Sequence, residues 1–268
     1  MAWVLQITMA LYAVGLLHSL FGFYQKRKLF INIALTLVGA GFVAHTTFLI
    51  LIGLERRHFP ITNLPESLCF FAWSLTLTFI VAYFRYQINI LGAFVLPLVS
   101  TLMILSELAW EENYAIPPIL KSKWVYFHGS VAFLAYTAFF LTFISGVLYL
   151  IQEKELKSKK FRFFYFRLPS LQVCDELLKR SLFAGFVLMS ITIITGAVWA
   201  QQAWGHFWSW DPKQTTSLIT WAIYLILVLY RLSSSWRGRR AAYISIAGFV
   251  SALFTFSMSW FRSLHAYL

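Results

Sequence analysis

Three stretches carry the residue types in this sequence that can do chemistry. The first is AWGHFWSWDPK, where Trp204, Phe207, Trp208 and Trp210 fall within seven residues, next to Asp211 and Lys213. The second is KSKWVYFHGS, around His128, and the third is WFRSLHAYL, around His265. Neutral imidazole is a common metal ligand, and two of them from distant parts of a chain suit the two axial positions of a six-coordinate porphyrin iron. Tryptophan offers the broadest flat apolar wall and tolerates an interface, because its N–H can meet water or headgroups. Arg56, Arg57, Lys213 and Arg262 are cations able to pair with porphyrin carboxylates. Asp211 followed by Pro212 reads instead as the cap and first residue of a helix. Interfacial histidines also serve simply as hydrogen-bonding residues, and aromatic belts are ordinary at membrane edges. Residue spacing alone leaves ligation and hydrogen bonding both open.

The elements that must position these groups are helical spans. Hydrophobic residues make up 60% of the 268 and charged residues 12%, whereas a soluble domain carries about a quarter charged. The apolar runs are near the length that crosses a hydrocarbon core as a helix. The expected fold is all-α and polytopic, one domain over 1–268 with eight spans at about 2–24, 29–54, 66–84, 88–106, 124–151, 181–203, 214–231 and 241–261. The first run has no basic leader and no small-residue cleavage site, so it is expected to remain as a span.

Basic residues set the orientation. Alternate loops hold sixteen Lys and Arg on one side and six on the other. The richer side is expected to be cytoplasmic and both termini extracytoplasmic, in the inner (cytoplasmic) membrane of a cell. His128, the segment 204–213 and His265 then share the outer face. The basic and aromatic loop at about 152–180 is expected to lie along the cytoplasmic membrane surface as an amphipathic helix. The net charge of +12 fits anchoring beside anionic lipid and needs no nucleic-acid partner. Cys69 and Cys174 lie in different settings and are expected to be unbridged.

Four further histidines need a role. His45 falls in the outer part of the second span and His18 in the inner part of the first. Ionisable residues inside membranes are functional candidates, so each is a candidate ligand of a second porphyrin iron or a hydrogen-bond partner of the first porphyrin, or simply bonds a neighbouring helix. His58, in RRHFP, is expected in an external loop near the porphyrin carboxylates. His206, inside the aromatic string, is a competing axial ligand.

WGHFWSWDPKQTTSLITWAIY resembles the tryptophan-rich "WWD" signature of the cytochrome c assembly family, the heme-handling membrane proteins CcsA (ResC), CcmC, CcmF and HemX. RRHFPITNLPESLCFFAW, LKSKWVYFHGSVAFLAY and RSLHAYL are similar to three further family segments, the last two carrying the external histidines. The resemblance implies non-covalent heme b held by His128 and His265 as axial ligands. It implies a cradle of Trp204, Gly205, Trp208, Trp210, Asp211, Pro212 and Lys213 at the macrocycle edge. In the assembly branch heme is presented to an apocytochrome c carrying CxxCH, with a CcsB-like subunit as partner and catalysis belonging to the complex rather than to this chain alone. In the HemX branch the protein regulates glutamyl-tRNA reductase at the start of tetrapyrrole synthesis. Leu229 stands where CcsA members often carry a histidine, and the last span lacks an NLLGIG run; both features match the HemX branch. An electron-transferring b-type cytochrome would want a second redox centre near the other face. A transporter would show an internal repeat around a midplane site.

Overall fold

A computed structural model describes residues 2–110, 117–159, 163–233 and 238–257. Among them eight α-helices are long and apolar enough to cross a membrane. They are α1 (Ala2–Gln25), α2 (Lys28–Arg56), α3 (Leu64–Tyr86), α4 (Leu91–Leu108), α5 (Lys123–Ser158), α6 (Leu171–Trp204), α7 (Pro212–Leu232) and α8 (Arg239–Ser257). A short 3-10 turn, Pro118–Lys121, precedes α5.

The sequence reads as one domain. The chain divides between Ile116 and Pro117 into two compact units of four helices each. In the first, α1 packs on α2 and α4, and α3 packs on α2 and α4. Its interior holds Tyr12, His45 and Cys69, all fully buried. In the second, α5 packs on α6 and α8, and α7 packs on α6 and α8. There Phe139 and Tyr224 stack face to face, with ring centroids 3.5 Å apart. Both rings, one on α5 and one on α7, are fully buried.

Helix boundaries follow local chemistry. Asn63, Ser122, Ser170 and Asp211 each cap the start of the next helix with a side-chain oxygen that accepts a backbone N–H, satisfying a donor the helix cannot. Gly205 ends α6 in the left-handed region at φ 79°, where a residue without a Cβ is least strained.

The loop at 152–180 differs from expectation. Among its described residues there is no separate helix: α5 continues to Ser158, and α6 already starts at Leu171. The Ser170 cap fixes that early start, and Glu153 to Lys157, an i,i+4 ion pair at 2.7 Å, supports the α5 extension. Cys174, Leu177 and Leu178 are buried, so the α6 extension packs inward. Both cysteines are free.

Candidate functional site

His128 lies in the second turn of α5, and α6 supplies its bed. Its Nδ1 is 2.9 Å from the Thr192 carbonyl. A carbonyl only accepts, so Nδ1 carries the proton and the lone pair belongs to Nε2. The approach is close because Gly196 is a glycine: a Cβ there would sit 2.7 Å from His128 Cε1 and 3.0 Å from Nδ1. Trp199 stacks on the imidazole with centroids 6.3 Å apart and planes 28° off parallel. Trp204 in turn tilts onto Trp199 at 5.0 Å. Thr192, Gly196 and Trp199 follow a spacing of four and three, which places them on one face of α6.

The segment after α6 is pinned at both ends. Gly205 N–H donates to the Gln201 carbonyl. At the other end Asp211 Oδ1 accepts the Lys213 N–H at 2.9 Å, with Pro212 at the first helical position. Between them, Gln214 Oε1 accepts both the backbone N–H and the hydroxyl of Ser209, at 2.9 and 3.0 Å. Trp210 adopts φ 57° and is 72% exposed. This left-handed backbone is unusual for a bulky residue, and it turns the indole outward from a loop that is otherwise tied down. Trp208 meets it edge to face at 5.8 Å. Trp208 Nε1 is buried and has no hydrogen-bond partner among the described residues. A buried N–H donor without an acceptor is costly and invites one.

These two parts meet. His128, Gly196, Phe207, Trp208, Lys213 and Ser217 line one cavity of about 50 Å³ in the second unit. Ligand pockets are typically about 300–1,000 Å³, so the described residues do not enclose a macrocycle. Their donor chemistry nonetheless fits one: an imidazole lone pair, an indole wall, an ammonium and an unanswered N–H. Among the described residues no cluster of three or more His, Cys, Asp and Glu could hold a bare metal ion.

The other sequence candidates lie elsewhere. Arg262 and His265 fall outside the described residues. His206 is exposed on the loop and is not part of the cavity lining. In the first unit, Glu66 has a fully buried carboxylate. It accepts from Arg56 at 3.0 Å and from the Thr62 N–H and hydroxyl, each at 2.9 Å. Arg56 also lies 4.9 Å from the Trp110 ring. His58 lies in the loop between α2 and α3, and its side chain is buried there with Nε2 3.5 Å from Glu66, because a buried carboxylate is stabilised by the donors it gathers. Arg57 is the exposed, left-handed C-cap of α2. Both ring nitrogens of His45 are engaged, Nδ1 with Tyr12 Oη and Nε2 with Cys69 Sγ, each at 3.2 Å. His45 is thus a hydrogen-bonding core residue. His18 Nδ1 bonds the Val14 carbonyl of its own helix at 2.9 Å.

A family model described as cytochrome C assembly protein matches residues 61–265. The chain belongs to the cytochrome c assembly protein family. Three relatives carry the name cytochrome c biogenesis protein CcsA. That of Guillardia theta is 36% identical over 79% of this chain and 78% of its own. That of Synechococcus sp. (strain CC9311) is 33% identical over 80% of each. That of Prochlorococcus marinus (strain MIT 9215) is 32% identical over 90% of this chain and 84% of its own. Among solved structures, Cytochrome c Heme Lyase CcmF superposes with a TM-score of 0.67 over 94% of this chain. At 16% identity that likeness concerns the fold, and this chain spans only 45% of that one. This member of the assembly family is a multi-pass membrane protein. Within the matched range lie His128, the α6 bed, the aromatic loop and His265. Thr192, Gly196 and Trp199 were not singled out from sequence, although their four-and-three spacing upstream of the aromatic string is a usable signal.

Proposed function

We propose that this chain holds heme b non-covalently at the extracytoplasmic face of the cell's inner membrane, between His128 and His265, and presents it to apocytochrome c during c-type cytochrome biogenesis. Both termini are then extracytoplasmic, in keeping with the sixteen-to-six loop asymmetry of Lys and Arg. The observation that carries the reading is the His128 Nδ1 bond to the Thr192 carbonyl. It supports the tautomer in which Nδ1 carries the proton and Nε2 the lone pair, on a ring that borders the same cavity as Trp208 and Lys213.

Bound heme would supply an iron for axial ligation and vinyl groups for thioether attachment to a CxxCH peptide. The chain's own residues would do the rest. His128 and His265 would grip the centre, leaving an edge of the ring accessible. Trp208 and the exposed Phe207 and Trp210 would provide the apolar wall, with Trp204 and Gly205 setting where the loop begins. Lys213 and Arg262 would offer cations for the carboxylates, and Asp211 and Pro212 would hold the loop to α7. Only residues of the second unit are used; Arg56 already serves Glu66. A CcsB-like subunit would complete the attachment machinery, and this chain would not be an enzyme by itself.

A second reading is the HemX type, a heme-binding regulator of glutamyl-tRNA reductase. It is favoured by Leu229, exposed on α7, at the position where CcsA members often have a histidine. A deletion strain separates the two. Loss of covalent c-type cytochromes with unchanged reductase abundance supports the assembly role. Intact c-type cytochromes with altered reductase abundance would reject it in favour of the regulator.

A further inference from the structure

A second polar feature of the same unit lies far along α5 from His128 and takes no part in the reading above. Leu150, Glu153, Lys154 and Lys157 follow one another at helical spacing and form a stripe on the last turns of α5. Arg239 and Tyr243 form the facing stripe on the first turns of α8. Together they line an open groove of about 510 Å³. Glu153 crosses it, with Oε1 2.7 Å from Lys157 Nζ and Oε2 3.9 Å from Arg239 Nε. Arg239 also donates to Tyr243 Oη at 3.2 Å. Among the described residues, three cations against one carboxylate leave the groove with an excess of two positive charges. Lys154 makes no ion pair among the described residues. Arg239 and Lys157 are 58% and 65% exposed at the side chain, so neither is desolvated by its partner.

The depth of the groove matters. The apolar run of α5 ends at Ile151, immediately before these charges, and the apolar run of α8 begins at Ala241, immediately after them. The groove therefore opens at the level of lipid headgroups. Leu150 and the half-exposed Tyr243 continue it toward acyl-chain depth, where an aromatic with a polar tip is well placed.

We propose that this groove is a binding site for the phosphodiester headgroup of an anionic phospholipid, with Lys154 and Arg239 holding the phosphate and Leu150 and Tyr243 lying along the first acyl segment. A phosphodiester carries one negative charge, which offsets half of the excess in the groove, and several acceptor oxygens, which can meet both Lys154 and Arg239. Each basic residue near an anionic membrane surface contributes an attraction equivalent to about fivefold in affinity, so two contribute about 25-fold.

The test uses the full chain in detergent, titrated with short-chain phosphatidylglycerol, phosphatidylcholine or inorganic phosphate and read by native mass spectrometry. The wild type is expected to bind phosphatidylglycerol well above phosphatidylcholine. Lys154→Gln with Arg239→Gln should weaken binding about 25-fold. A control with the same loss of charge, Lys26→Gln with Arg27→Gln, should leave it within about twofold. The charge-keeping pair Lys154→Arg and Arg239→Lys should keep the preference for phosphatidylglycerol, and a wild-type melting temperature of the Gln pair excludes a folding defect. Equal weakening in both Gln pairs would overturn the proposal in favour of bulk surface charge. Equal affinity for the two lipids, or inorganic phosphate binding as tightly as the lipid, would also overturn it.

Discussion

Replacing Gly196 by alanine tests the bed beneath His128 with a single methyl group. The added carbon would lie 2.7 Å from His128 Cε1 and 3.0 Å from Nδ1, where carbon contacts prefer about 3.5–4.0 Å. The imidazole must withdraw by about 1 Å to restore ordinary contact. That displacement breaks or bends the 2.9 Å bond to the Thr192 carbonyl. Two opposing terms can be weighed. Alanine is the better helix former by about 0.8–1 kcal/mol. Overpacking costs about 1–3 kcal/mol, and losing the hydrogen bond adds about 0.5–1.5 kcal/mol. The unfavourable terms win, and they act on the ring proposed to bind iron. Heme affinity should therefore fall by about 1–3 kcal/mol, or roughly 5- to 150-fold. The assay is heme titration of the purified apoprotein followed by its Soret absorption, with thermal melting in parallel. Gly39→Ala is the control, since a Cβ there meets nothing within 4 Å; it should leave heme affinity unchanged. If Gly196→Ala binds heme with wild-type affinity and an unaltered spectrum, the α6 bed does not position the ligand and the reasoning fails.

Other substitutions separate the parts of the site. Trp208→Ala should lower heme retention by about 1.5–3 kcal/mol from lost apolar burial alone, whereas Trp208→Phe, which keeps a ring but removes the N–H, should lose only part of that; both are read in the same titration. Asp211→Ala should cost about 1 kcal/mol of stability by uncapping α7, visible as a lower melting temperature, and Asp211→Asn should recover most of it. Glu66→Gln should destabilise the first unit strongly, by about 3–5 kcal/mol for a broken buried pair, while the heme spectrum of the protein that still folds remains as in the wild type.

Much of the fold is legible in the sequence because membrane spans are continuous apolar runs bounded by charge or proline. The expected starts at 29, 124 and 214 lie within two residues of the observed Lys28, Lys123 and Pro212. Asp211-Pro212 announces a helix start through chemistry that needs no tertiary context, and its cap forms as expected. The stretch 152–180 was harder. Its mixed basic and aromatic residues read as an amphipathic helix along the membrane surface, but Ser170 and the Glu153–Lys157 pair extend the two helices beyond the apolar runs. The site was half legible. Three tryptophans within seven residues stand out by type, whereas Thr192 and Gly196 lie inside a run in which threonine and glycine are ordinary packing residues. The significance of these two residues depends on His128, 64 positions away from Thr192. Glu66 is similar: nothing in NLPES distinguishes a helix-start acid from a buried one that gathers Arg56, His58 and Thr62.

The central claim is that His128 and His265 are the two axial ligands of one heme. Optical and electron paramagnetic resonance spectra of the purified full-length protein, His128→Ala and His265→Ala test it most directly. The wild type should show low-spin, bis-imidazole iron, and each variant should lose heme or become high-spin. Wild-type spectra and full occupancy in both variants would contradict it.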